Sequence, residues 1–271
     1  MNETATENKV VTNVKTVSDT KRAFYSHHQK PINSVYRRVV EELMVEMHLL
    51  SVNADFEYDP IYYLGVVSSF ERLMQGYQPE KDKESIFNAL CKSVDLDPDY
   101  CRDRAASILS VAESKSADDT IAWLSNPEGD ESLVAPIAAI AKKEKFKYSR
   151  LFAIGLYTLL EKADLELLKD KEKSDRVFET LAQNLHLPEE KMKKDLELYR
   201  SNLDKMEQLL KVMSDMLEAS RKQREKRALE KQARETAEKE AENTQAENKE
   251  TENTEIENKE AENKEAENTE S

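Results

Sequence analysis

The chain has 271 residues, room for one large domain or two small ones, with four glycines and 35% charged residues. The formal charge of −14 lies mostly at one end: residues 235–271 hold fourteen Glu and four Lys (net −10), while residues 221–234 hold seven Lys and Arg against two Glu (net +5). An acidic tail that competes for the cations beside it argues against nucleic-acid binding, and the want of strand-like alternation argues against a sheet.

Residues 1–15 are polar and aperiodic and are expected to be disordered. Ser18 is expected to cap a short helix from Asp19 to about His27, which stops before Pro31 because a residue preceding proline avoids helical angles. Asn33 or Ser34 then caps a helix in which Tyr36, Val40, Leu43, Met47 and Leu50 share one face, widened by Val39, Met44 and Val52. So broad a stripe marks this helix as the expected centre of the fold. Asp59-Pro60 opens a third helix and Gly76 fits its stop. A fourth follows Pro79 with Ile86, Phe87, Leu90 and Cys91 inside. Asp97-Pro98 opens a fifth with Tyr100, Ala105, Ile108, Leu109 and Val111 inside.

A helical piece at Asp119–Leu124 holds Trp123, the single tryptophan, and a turn at Asn126–Gly129 follows it. Helix resumes from Ser132, then comes a lysine-rich step (Lys142, Lys143, Lys145, Lys147) and a run with Leu151, Ile154, Leu156, Leu159 and Leu160 inside. Gly155 in that run allows another helix to approach closely. Ser174 is expected to cap the next helix. Pro188 starts the longest, where Met192, Leu196, Tyr199, Leu203, Met206, Leu210, Met213 and Leu217 keep the 3.5-residue period of a coiled-coil seam. The seam ends while helix formers continue, so the basic second half of residues 188–234 is expected to project. From Ala246 the tail repeats AENKE, TENTE, IENKE, AENKE and AENTE; a period of five keeps no face apolar, and residues 235–271 read as a solvated polyanion. The expected class is therefore all-α: a single helical bundle over residues 16–218, a long C-terminal helix, and a disordered acidic tail.

Chemistry-bearing residues are sparse. Glu41, Glu42, Glu46 and His48 invite a metal or catalytic reading, in which Glu42, Glu46 and His48 converge with polar groups of another helix, but Glu-x-x-His is absent because the residue three before His48 is Val45. Cys91 and Cys101 match no zinc spacing and are expected as reduced, buried thiols. His27-His28 reads as a charge complement at a helix end or a loop pair, and the 142–147 lysines as a solvated face. No phosphate-binding glycine loop occurs. The longest apolar run, Leu151–Leu160, is about half of what a bilayer crossing requires. The N-terminus shows neither a secretory apolar region nor an arginine-rich transit pattern, so the reading is a soluble protein. No cofactor and no metal is expected, nor an enzyme. The least bland feature is the methionine-rich part of the seam, and Met206, Leu210, Met213, Leu217, Arg221 and Arg224 are the candidate partner-binding residues. Glutamate at Leu210 and Met213 is expected to impair partner binding and spare folding.

Residues 16–25 (TVSDTKRAFY), 30–56 (KPINSVYRRVVEELMVEMHLLSVNADF), 58–77 (YDPIYYLGVVSSFERLMQGY) and 86–91 (IFNALC) resemble the thylakoid formation protein family of oxygenic phototrophs. Beyond about residue 95 the resemblance rests on helix pattern and length, and the acidic repeat departs from it. The resemblance implies an all-helical, non-catalytic protein at the thylakoid membrane, peripheral on its cytoplasmic side with a soluble pool. It further implies a part in photosystem II biogenesis or repair and, as partners, FtsH protease complexes or photosystem II components. With no transit pattern, it points to a bacterial phototroph or a mature form.

Overall fold

The computed structural model of the chain describes residues 14–140, 142–143 and 146–268, with side chains up to Arg234 and at Thr236. Among these there are eleven helices and no strand, so the all-α class holds. The chain divides into two compact units, Met1–Leu210 and Lys211–Ser271.

The first unit begins with α1 (Val17–His27), α2 (Ser34–Ser51), α3 (Pro60–Leu73), α4 (Glu80–Ser93) and α5 (Pro98–Glu113). Proline and aspartate set most of these starts. Asp59 and Asp97 accept hydrogen bonds from the N–H groups of Tyr62 and Tyr100, while Pro60 and Pro98 occupy first-turn positions whose N–H has no partner inside a helix. Asn33 caps α2. At α1 the cap is Thr16 in place of Ser18: its hydroxyl receives the Asp19 N–H and the Asp19 carboxylate accepts the Thr16 N–H, a reciprocal pair that one oxygen at Ser18 does not provide.

Then come α6 (Ala117–Ser125), α7 (Glu131–Ile140), α8 (Arg150–Ala163), α9 (Leu165–Lys169), α10 (Lys171–Asn184) and α11 (Glu189–Asn268). Asp170, not Ser174, caps α10, and Ser174 is buried inside it, receiving a hydrogen bond from Arg200. Tyr100 is exposed, contrary to the inward position its spacing suggests.

The centre is not α2. Every residue of α3 from Pro60 to Phe70 and every residue of α8 from Leu151 to Leu160 is buried, so these two helices are apolar all round, while α2 keeps an exposed side. Glycine permits their contact. A methyl on Gly65 would stand 1.7 Å from the Leu151 carbonyl oxygen, and one on Gly155 2.0 Å from that of Ile61. The backbones therefore touch where each lacks a side chain, and Gly155 has the role its place in the sequence suggests. Around this crossing pack Tyr36, Phe24, Phe87, Trp123, Phe178 and Tyr199. A fully buried side chain of this size contributes about 1.5–3 kcal/mol.

Beyond Leu210 the backbone of α11 continues helical to Asn268, through the stretch expected to be disordered. No proline or glycine follows Pro188, and Ala, Glu, Lys, Arg and Gln all favour helix, so local propensity supports helix where an apolar face is lacking.

Candidate interaction surface

The polar residues that invite a chemical reading are dispersed. Glu42 pairs with Arg38 at 2.9 Å and Glu41 with Lys21 at 3.0 Å. Glu46 receives two hydrogen bonds from Arg150 across the gap to α8, and burial raises its pKa despite that cation. His48 faces the other way, into the α1 contact, where Nδ1 lies 2.8 Å from Thr20 Oγ1. Each member has its own local partner, and among the described residues no group of three or more His, Cys, Asp or Glu is placed to hold a metal ion.

His28 is buried against α4, with Nδ1 2.9 Å from Ser85 Oγ and Nε2 unpartnered, in place of the exposed charge expected at a helix end. Burial lowers the pKa of both His28 and His48, so both rings stay neutral near pH 7. Cys91 and Cys101 are free thiols in the core, and the Cys101 contact and burial raise the Cys91 pKa. Such thiols pack as small apolar groups. Of the lysine step, Lys143 pairs with Glu57, Lys142 and Lys147 are exposed, and Lys145 lies outside the described residues. Asp59 is the most perturbed carboxylate: complete burial pushes its pKa up to about 7, against the pull of N–H donors from Tyr62 and Ile61.

The seam divides between the two units. In the first, Met192, Leu196, Tyr199 and Met206 are buried, and Leu203, Leu209 and Leu210 pack against the same core. A methyl on Gly76 would fall 2.2 Å from Leu210 Cδ2. Met206 and Leu210 thus serve the body's own packing, further along the seam than the sequence suggests. The second unit carries Met213 half-buried, Leu217 71% exposed and Met216 65% exposed, with Arg221 and Arg224 in solvent. At 100° per residue, Val212, Met213, Met216 and Leu217 form one stripe that Arg224, Arg227 and Lys231 continue as a basic one. The glutamates Glu218 and Glu225 lie on the opposite side, paired with Lys222 at 2.8 Å and Arg221 at 3.6 Å. The arrangement offers an apolar patch followed by cations.

A family model described as thylakoid formation protein matches residues 16–228. The chain belongs to that family. Membership extends well past residue 95, over the helices whose resemblance in sequence was only one of pattern. The chain is 58% identical over 217 residues to Protein Thf1 of Trichormus variabilis, covering 79% of this chain and 93% of that one. It is 56% identical over 218 residues to Protein Thf1 of Nostoc punctiforme, with the same coverage of 79% and 93%. A solved structure of Psb29 aligns with a TM-score of 0.61 at 44% identity, over 71% of this chain and 98% of that chain. The family match ends at residue 228, so it takes in the apolar stripe and the first part of the basic one, and it leaves out the acidic repeat.

Proposed function

We propose that this member of the thylakoid formation family is a non-enzymatic interaction factor at the thylakoid membrane, supporting photosystem II biogenesis or repair by binding and stabilising FtsH protease complexes. The observation that carries the docking mode is the stripe of half-buried Met213 with exposed Met216 and Leu217, leading into Arg221 and Arg224, a surface suited to an apolar contact flanked by acidic groups. Family membership and the similarity to Psb29 support the setting. The attachment is peripheral and on the cytoplasmic side in this reading; among the described residues no helix is long and apolar enough to cross a membrane.

The test is a pull-down from thylakoid extracts using the intact chain and a Met213→Glu/Leu217→Glu variant. FtsH subunits or photosystem II proteins are expected above control with the intact chain and lost with the variant. Recovery of neither by the intact chain overturns the reading.

A further inference from the structure

One side of the first unit carries an open groove. Its deep part is a cleft of about 370 Å³ walled by Leu43, Leu151, Ile154 and Met206. It opens into a trough of about 920 Å³ between α2 and α11, and the Arg150–Glu46 pair borders both. Single exposed apolar side chains are ordinary on any surface. Here Leu49 (57% exposed) and Val45 on α2 face Leu198 (46% exposed) on α11 across the trough, and Val35 stands at the cleft. From Val35 to Leu49 the α2 edge is about 21 Å long, four turns of a helix laid alongside.

The charges along the groove narrow the occupant, because they are unequal. Glu42, Glu46 and Asp195 bond Arg38, Arg150 and the Tyr148 hydroxyl, and Glu41 pairs with Lys21. Lys191 lies 5.1 Å from the Tyr148 ring centre, and among the described residues Lys147, Lys191 and Lys205 form no ion pair.

We propose that the groove seats an acidic amphipathic helix of a partner protein. Its apolar stripe lies between Leu49 and Leu198, an apolar side chain enters the cleft between Leu43 and Ile154, and its carboxylates meet Lys147, Lys191 and Lys205. The chain's own acidic tail does not suit: its five-residue repeat moves round a helix by about 140° each time and presents no apolar stripe. The groove shares no residue with the stripe on the second unit, so the two readings fail independently.

The experiment uses the full chain and fluorescein-labelled helical peptides of about 18 residues. One carries leucines and a tyrosine at helical spacing flanked by glutamates; its twin has lysines for the glutamates. Anisotropy is expected to show saturable binding of the acidic peptide, weakened by salt, with the lysine twin about tenfold weaker or worse. Leu49→Glu/Leu198→Glu should weaken the acidic peptide about tenfold. Lys147→Glu/Lys205→Glu, both at exposed positions that leave packing untouched, should do the same while the thermal transition stays put. Met213→Glu/Leu217→Glu should bind like the parent. Absence of binding by the acidic peptide, equal binding of the twins, or retention by the Lys147/Lys205 variant overturns the proposal.

Discussion

Helix α8 and the part of α11 beyond Leu210 have the same backbone conformation and different reasons for it. In α8 the run from Leu151 to Leu160 is wholly buried, including phenylalanine, isoleucine and threonine, residues with mediocre helix propensity. There, tertiary packing holds the helix. From Val212 to Arg234 most side chains are in water, the residues are strong helix formers, and pairs such as Glu218–Lys222 contribute only a few tenths of a kcal/mol each. Helix of the first kind melts with the whole domain, and helix of the second kind opens locally. A surface on the second kind can change at little cost to the fold.

The comparison breaks most visibly at Gly155. Alanine there drives a methyl against the Ile61 carbonyl, a backbone atom that cannot turn aside, and should cost about 3 kcal/mol or more in urea unfolding. Ala228→Gly in the exposed part of α11, a change of comparable size, should lower helicity locally, by about 1 kcal/mol at that site, and leave the main transition in place. A shifted main transition would show that this part of α11 is coupled to a core.

Buried charge gives the next contrast. In the folded state Asp59 holds its proton up to about pH 7, whereas the unfolded chain releases it near 3.8. The raised pKa contributes stability that is complete below 3.8 and is lost as pH rises through 7, at up to about 1.4 kcal/mol per pH unit. Asp59→Asn keeps the capping oxygen and removes the titration. Relative to the parent, the variant should gain up to about 4 kcal/mol between pH 4 and pH 8, with no further change above. The buried His28 and His48, whose lowered pKa values disfavour folding as pH falls below 6.5, affect both proteins alike and cancel. A constant difference at every pH would mean that Asp59 is ionised throughout.

A smaller effect locates the end of the packed seam. Leu210→Glu places a charge beside Gly76 and Tyr36 and should cost about 1–2 kcal/mol. Met213→Glu, one seam position on, should stay within about 0.5 kcal/mol. From the sequence alone both glutamates are expected to spare folding. The heptad gives the register of the seam but not the residue at which a neighbour stops covering it, because periodicity continues wherever helix does.

Other differences have the same origin. Asp59-Pro60 and Asp97-Pro98 were legible because cap and proline act within one turn. Thr16 was not separable from Ser18, nor Asp170 from Ser174, because several cap-competent residues stand side by side and packing chooses among them. The stripe on α2 correctly names its buried face. It conceals that α3, apolar all round in YYLGVVSS, is the inner helix and that Val45 and Leu49 on the far side of α2 meet nothing. The groove was illegible for the same reason: Leu198 is distant in sequence, and only the packing of α11 beside α2 makes a trough of separate exposed residues. The dispersal of Glu42, Glu46 and His48 also needed three dimensions, since residues four and six apart on one helix take different neighbours.

The smallest predicted effect is at the terminus. Removing residues 235–271 takes away one large apolar residue, Ile256, and a net charge of −10. With almost no apolar surface to bury, the repeat cannot raise the melting temperature through packing, and the midpoint of the truncated chain should lie within about a degree of the parent. Circular dichroism then separates two tails that a melting temperature cannot. If the helix persists to Asn268 in solution, truncation removes signal at 222 nm in proportion to the residues lost, and before truncation that signal should fall gradually on heating, ahead of the main transition. If the repeat is coil, total ellipticity is unchanged. In either case the charge asymmetry remains: without the polyanion, Arg224, Arg227 and Arg234 lose their intramolecular competitor, and an acidic partner should bind the truncated chain more tightly at low salt and equally at high salt. Equal affinity at low salt would mean that the tail never approaches those cations.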